Sequence, residues 1–308
     1  MPSLRDKFLI NPDVVFLNHG SFGATPRPVF ESYQRWQLEL EKQPVEFLQR
    51  RLPDLFLSVR SELAKFLDTK MENLLLVTNI TLGLNIISRS LKLGPGDEVL
   101  TTDHEYGSMN SMWQYLAQQK GFRYINREVP IPIRDAAHFI DSFWEGVTPR
   151  TKVIYISQIT SPTAIIFPVK EICRRARQAG ILTVIDGAHV PGQIPLSLDD
   201  LGADFYSGNL HKWLCTPKGS GFLYARPEVQ SMLEPLIITF SWKLERPAEV
   251  SPIDMLEYVG TRDPAAFLAI PDALRFREEN NWSAVQAQCH EYAAETRRRI
   301  TRLSGVEA

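Results

Sequence analysis

Cysteine is scarce in this chain. Three in 308 residues, Cys173, Cys215 and Cys289, lie far apart. They form neither a disulfide framework nor a zinc-ligand pattern, and they suit a reducing cytoplasm. Long apolar runs are missing too: none approaches the roughly 20 residues that span a bilayer. The N-terminal Met-Pro-Ser-Leu-Arg-Asp-Lys has no apolar core of a signal peptide. Charge of either sign is not in excess. The net value is −2 with both signs mixed, so nothing pulls the chain toward nucleic acid or membrane surfaces. There is no Gly-Lys-Ser/Thr phosphate loop. The absence of a Gly-x-Ser-x-Gly elbow counts against a Ser-His-Asp hydrolase. No internal repeat or low-complexity tract occurs. The length suits one large domain, with or without a smaller one.

What is present centres on Ser207–Gly221. Lys212 sits there between His211 and Trp213, flanked by apolar runs at Ala203–Tyr206 and Phe222–Ala225. Burial between strands disfavours an ammonium group, and a lysine so placed can lose its proton and form a Schiff base with a carbonyl. Upstream, the apolar run from Gly180 ends at Asp186, followed by Gly187-Ala188-His189. A carboxylate at the carboxyl end of a parallel strand faces the crevice where ligands of open α/β sheets bind. Asp then Lys on successive strand ends is the layout expected for pyridoxal 5'-phosphate. The aspartate keeps the pyridinium nitrogen protonated and the lysine holds the aldehyde. Asp186 alone would read equally well as a helix cap; with Lys212 the cofactor reading prevails.

In chain order, residues 1–27 read as an N-terminal arm with a glycine-rich loop near Asn18–Gly23, either a plain turn or a close approach of backbone to a ligand. Residues 28–67 are periodic and helical, interrupted at Pro44 and Pro53. Leu74–Val77 reads as a strand buried on both faces. Thr78, Asn79 and Thr81 then open a helix over 81–92 whose N-terminus suits a phosphate. Glu98–Thr102 is a strand leading into Asp103-His-Glu-Tyr-Gly, where His104 or Tyr106 could stack on a planar ring. Strands near Arg123–Ile125 and Lys152–Ile156 alternate with helices near 108–119, 137–145 and 169–178. The hydroxyl-rich Ser157-Gln-Ile-Thr-Ser-Pro-Thr follows the second of these strands. Five or more βα units predict a mostly parallel sheet with helices on both faces, and every candidate group follows a strand's carboxyl end. Residues 227–257, with four prolines, read as loop. Gly260 and Thr261 precede a helix running to about 278, a second candidate anion site. The large α/β domain is expected over 28–278, and 279–308 as the start of a C-terminal helical segment.

These blocks resemble fold-type I pyridoxal-phosphate enzymes of the class V aminotransferase group, and most closely the isopenicillin N epimerase-like branch. The shared wording is Leu17-Asn-His-Gly-Ser-Phe-Gly-Ala-Thr-Pro, Thr102-Asp-His-Glu-Tyr-Gly, Gln158-Ile-Thr-Ser-Pro-Thr, Asp186-Gly-Ala-His, Asn209-Leu-His-Lys-Trp-Leu and Gly260-Thr-Arg-Asp-Pro. The resemblance implies a seven-stranded-type sheet. It implies that Lys212 forms the Schiff base and moves the Cα proton, and that Asp186 pairs with the pyridinium nitrogen. His189 and Thr160 would lie near the ring's phenolic oxygen. The Ile80 backbone, the Thr81 hydroxyl, Asn209 and His211 would hold the phosphate. His104 would stack on the ring, and Tyr106 would serve as acid, base or substrate contact. Gly260 and Thr261 would reach the neighbouring subunit's phosphate in a homodimer with shared sites. It further implies a small C-terminal domain carrying an arginine for a substrate carboxylate, a domain truncated or missing here.

The substrate expected is an amino acid, with no nucleic-acid or membrane partner and no metal. Reprotonation on the opposite face would give epimerisation, with Tyr106 or His104 as second acid; reprotonation at the cofactor would give transamination. The alternatives are a C–S lyase, a cysteine desulfurase-like enzyme, or a cofactor-binding protein without turnover. Cys215 is expected to be packed rather than reactive.

Overall fold

The computed structural model describes residues 4–239 and 254–306. The strands are β1 (Leu74–Val77), β2 (Glu98–Thr102), β3 (Arg123–Arg127), β4 (Thr151–Ser157), β5 (Leu182–Asp186), β6 (Phe205–Asn209) and β7 (Gly221–Ala225). They form one seven-stranded sheet in the order β1-β7-β6-β5-β4-β2-β3. β7 runs antiparallel to both its neighbours, and the other pairings are parallel. The expected mostly parallel α/β sheet is therefore observed.

Alternation along the strands divides the core. Leu74, Leu76, Ile154, Ile156, Ile185 and Tyr206 face one way; Leu75, Val77, Val153, Tyr155, Val184 and Phe205 face the other. Both faces are covered, so the central strands read as unbroken apolar runs rather than alternating ones. The first face packs on α2 (Leu52–Phe66), α5 (Ala136–Trp144) and α6 (Val169–Gln178). The second packs on α3 (Ile80–Ser90) and α4 (Gly107–Lys120). Burying each such side chain contributes about 1.5–3 kcal/mol.

Before the sheet, α1 spans Arg27–Lys42. Pro44 opens the next short piece, and a π-turn over Phe47–Arg51 leads directly into α2. Pro53 thus lies in the first turn of α2, where its missing N–H leaves no bond unmade. It marks the start of a separate helix, as expected. After the sheet come Ala265–Leu268, α7 (Ile270–Glu279) and α8 (Trp282–Ser304). The helix expected after Gly260 and Thr261 begins at Ala265 with Pro264 as its N-cap. The loop expected over 227–257 lies partly outside the described residues; within them, Pro227–Met232 is a 3-10 helix.

Candidate active site

The carboxyl ends of β6, β5, β4 and β2 meet the start of α3 around a cavity of about 300 Å³. Asp186, Lys212, Tyr106, Thr81 and His211 all line it. A shallower groove of about 850 Å³ between α1 and α7 is lined by Arg35, Trp36, Glu39 and Asp272. It holds no buried carboxylate paired with a lysine, so the smaller cavity is the chemical one.

Asp186 ends β5 and is buried. Its Oδ2 accepts the Tyr155 hydroxyl at 3.0 Å and its Oδ1 the Ala188 amide at 2.9 Å. Burial raises its pKa, while the two hydrogen bonds and Lys212 act against that rise. Gly187 is required at the bend: a Cβ there would meet the Tyr206 ring at 2.1 Å.

Lys212 follows β6 in a loop. Its Nζ lies 3.1 Å from His189 Nε2. Burial lowers its pKa, opposed by Asp186, so the lysine gives up its proton more readily than it would in water. His189 is held down to about 4, by burial first and by Lys212 second, and is neutral at physiological pH.

The helix start at α3 is polar on the cavity side. Asn79 accepts the Leu82 amide at 3.0 Å as N-cap. Asn209 Oδ1 accepts the Ile80 amide at 2.9 Å, so that backbone donor is engaged within the protein. Thr81 lines the cavity, and a first-turn amide has no intrahelical acceptor. His211 donates through Nδ1 to the Ser220 carbonyl at 3.1 Å.

Two expected contacts fall elsewhere. His104 is buried, with Nδ1 2.9 Å from Thr163 Oγ1 and Nε2 donating to the Val129 carbonyl at 2.8 Å. Its edge packs on Phe167. Both ring nitrogens are engaged within the protein, which leaves neither free as an acid, and the ring is not among the residues that line the cavity. Tyr106, two residues on, reaches the cavity instead. Thr160 also lies off the cavity wall. Its hydroxyl bridges Thr163 Oγ1 at 2.8 Å and accepts the Ile165 amide at 2.8 Å, fastening a turn. From the segment that follows β4, the hydroxyls that line the cavity are Ser157 and Ser161. Gly260 and Thr261 do not line it either.

Several contributors escaped the sequence reading. Glu105 is buried; its Oε2 accepts the Ser157 amide at 2.9 Å and hydroxyl at 2.5 Å, and its Oε1 accepts Thr102 at 2.7 Å. Burial pushes it up to about 8. The segment Asn18–Gly23, for which a close approach to a ligand is one of two readings, is a helical turn over His19–Phe22 that closes one wall through Ser21 and Phe22. His19 Nε2 donates to the Lys212 carbonyl at 2.9 Å. Gly23, at φ +71, lies so close that a Cβ would stand 1.9 Å from the His211 carbonyl. Lys218 lines the same cavity. Cys215 is buried with its thiol pushed up to about 12, which makes it a packed residue, as expected.

These residues fit pyridoxal phosphate. A part-buried amine and a buried carboxylate face one space, with a helix start and hydroxyls beside them. Among the described residues no cluster of His, Cys, Asp and Glu could hold a metal, and no helix is long and apolar enough to cross a membrane.

Comparison with known proteins identifies the family. The chain is similar to isopenicillin N epimerase of Streptomyces clavuligerus, 34% identical over 98% of this chain and 78% of that protein. The same enzyme of Amycolatopsis lactamdurans is 33% identical, over 98% and 79%. A probable chloroplastic L-cysteine desulfhydrase of Arabidopsis thaliana is 26% identical, over 96% and 66%. In fold it resembles the apo cysteine desulfurase of Thermococcus onnurineus NA1, with a TM-score of 0.82, 22% identity, and 98% and 76% of the two chains covered. The Aminotransferase class-V profile matches residues 21–308. The chain belongs to the class V aminotransferase family of pyridoxal-phosphate enzymes.

Proposed function

We propose that this enzyme transfers a proton at the Cα of an amino acid and that its reaction is an epimerisation, as the relatives named isopenicillin N epimerase suggest. The observation that carries this reading is the order of strand ends around the cavity. Lys212 follows β6 and Tyr106 follows β2, with the ends of β5 and β4 between them. Strands lie about 4.8 Å apart, so the amine and the phenol enter from opposite walls. Inverting a carbon centre requires a proton acceptor on one face and a donor on the other.

Bound pyridoxal phosphate supplies an electron sink for the charge left at Cα. Lys212 would hold the cofactor aldehyde and serve as the base on its own side. Asp186 would sustain the positive charge of the ring nitrogen. His189, beside Lys212, would serve the ring's phenolic oxygen. Thr81, Asn209 and His211 form the phosphate side. Tyr106 donates from the far wall. Gly260 and Thr261, away from this cavity, serve the neighbouring subunit's phosphate in a homodimer. Residues 28–278 form the cofactor domain, with 1–27 an arm over it and 279–308 a C-terminal segment. A cytoplasmic setting agrees with three free cysteines.

A second reading, C–S bond cleavage, is favoured by the desulfhydrase relatives. Elimination of sulfide needs no protein thiol, whereas a persulfide carried on Cys215 is opposed by that residue's burial. A panel of L- and D-amino acids, with chiral and sulfide analysis of products, separates these readings. Interconversion of enantiomers or epimers supports the proposal; sulfide with a keto acid replaces it by lyase chemistry. No spectral change with any amino acid reduces the protein to a cofactor binder.

A further inference from the structure

The indole N–H of Trp213 lies 3.4 Å from His189 Nδ1. An indole nitrogen donates and never accepts, so His189 Nδ1 is the acceptor in this contact. A neutral imidazole that accepts at Nδ1 carries its proton on Nε2, and Nε2 is the atom 3.1 Å from Lys212 Nζ. Donor thus meets lysine, and the lysine must answer with a lone pair. An ammonium group has none.

The bond is long, and packing keeps the indole aimed. The His19 ring lies against Trp213 with centroids 5.2 Å apart. Gly20 has no side chain where a Cβ would come within 3.1 Å of the indole. The Trp213 carbonyl accepts Arg277 at 3.3 Å. The indole is therefore clamped from its ring and from its backbone.

We propose that Trp213 is a positioning residue that sets the tautomer of His189, so that the imidazole presents an N–H to Lys212 and keeps it a neutral amine. Without the indole N–H, the opposite tautomer is available. It offers Lys212 an acceptor at Nε2, which stabilises the ammonium and delays its loss of a proton to higher pH. The other charged or titratable groups around this lysine are Asp186 on β5, His211 and Lys218 on its own loop, and His19 on the arm. A Trp213→Phe change removes none of these groups and keeps an aromatic ring against His19.

The inference rests on Lys212 as the amine that captures the cofactor aldehyde, but the tautomer can be measured without that assumption. Long-range ¹H–¹⁵N spectra of histidine-labelled full-length protein freed of cofactor, with His189 assigned by its loss in His189→Gln, should show the Nε2–H form. Trp213→Phe should introduce the Nδ1–H form. An Nδ1–H signal in the unaltered protein overturns the proposal and needs no variant that folds. So does an unchanged tautomer in a folded Trp213→Phe.

The second measurement is the rate of pyridoxal 5'-phosphate capture against pH. A rise of one pKa unit lowers the free-amine fraction about tenfold below the midpoint. Trp213→Phe should therefore capture roughly three- to tenfold more slowly at pH 7 and recover at high pH. Equal slowing at every pH overturns the tautomer account. Capture by Lys212→Ala with the tautomer intact would instead remove Lys212 from its role and leave the Trp213–His189 relation standing.

Discussion

Tyr155 donates its hydroxyl to Asp186 at 3.0 Å from the neighbouring strand, and both are buried. β4 and β5 pair in parallel with Tyr155 beside Val184 and Ser157 beside Asp186, so the phenol reaches two residues along the neighbouring strand to the carboxylate. A hydrogen bond to the charged form favours that form, and this one acts against the burial that raises Asp186. Tyr155→Phe should raise the carboxyl further and weaken its hold on the cofactor nitrogen. A lost buried hydrogen bond of this type costs about 1–3 kcal/mol. Cofactor affinity, followed by absorbance titration, should fall by roughly one order of magnitude, and the acid limb of the rate profile should move to higher pH. Asp186→Ala should cost more on both counts and slow Cα deprotonation, read by exchange of the substrate Cα hydrogen with solvent deuterium.

Lys212→Ala should abolish turnover and the visible absorbance of the lysine-linked cofactor together. Survival of both would mean that another amine does this work. The thermal melt of the variant without cofactor should stay close to that of the parent, because the side chain's principal contact is His189.

Tyr106 and His104 should separate cleanly. Tyr106→Phe keeps the ring and removes the hydroxyl; if that hydroxyl is the far-side acid, epimerisation should drop about 10²–10⁴-fold while deuterium exchange at the starting enantiomer persists. His104→Gln should instead lower stability by about 1–3 kcal/mol, since the Val129 carbonyl and Thr163 hydroxyl lose buried partners. Urea melts and chiral chromatography on both variants check the division.

Glu105 gives a pH dependence with a defined sign. Its folded-state value, about 8, lies above the ordinary carboxyl range, so the folded chain holds a proton that the unfolded chain releases between about pH 4 and 8. Stability therefore falls as pH rises through that window. Glu105→Gln removes the dependence, and the difference between variant and parent in urea midpoint should grow from pH 5 to pH 8. A constant difference would place Glu105 among ordinary ionised carboxylates.

Cys215→Ala should retain turnover and any sulfide release, as its thiol is buried and pushed to about 12. Loss of sulfide release alone would return the persulfide reading.

Much of the site could be read in the linear chain because it sits where apolar runs stop. Asp186 and Lys212 each follow a short buried strand, and Asn79 announces a helix start by its residue type. His104 and Tyr106 could not be told apart, since they share one loop. Which of them turns toward the cavity depends on Glu105 anchoring between Thr102 and Ser157, a contact between distant segments. The same limit hid His19, which meets the Lys212 carbonyl across 193 residues of chain. Pro44 and Pro53 were legible because proline divides a helical stretch and suits the first turn of the piece that follows.

The ends of β2, β4, β5 and β6 come together only when the sheet is complete. A nascent or partly unravelled chain has no place for the vitamin, so occupancy reports finished assembly. By mass action, a ligand held only by the finished form raises the melting temperature in proportion to the logarithm of its concentration, and vitamin B6 supply thereby becomes a determinant of how long this protein survives.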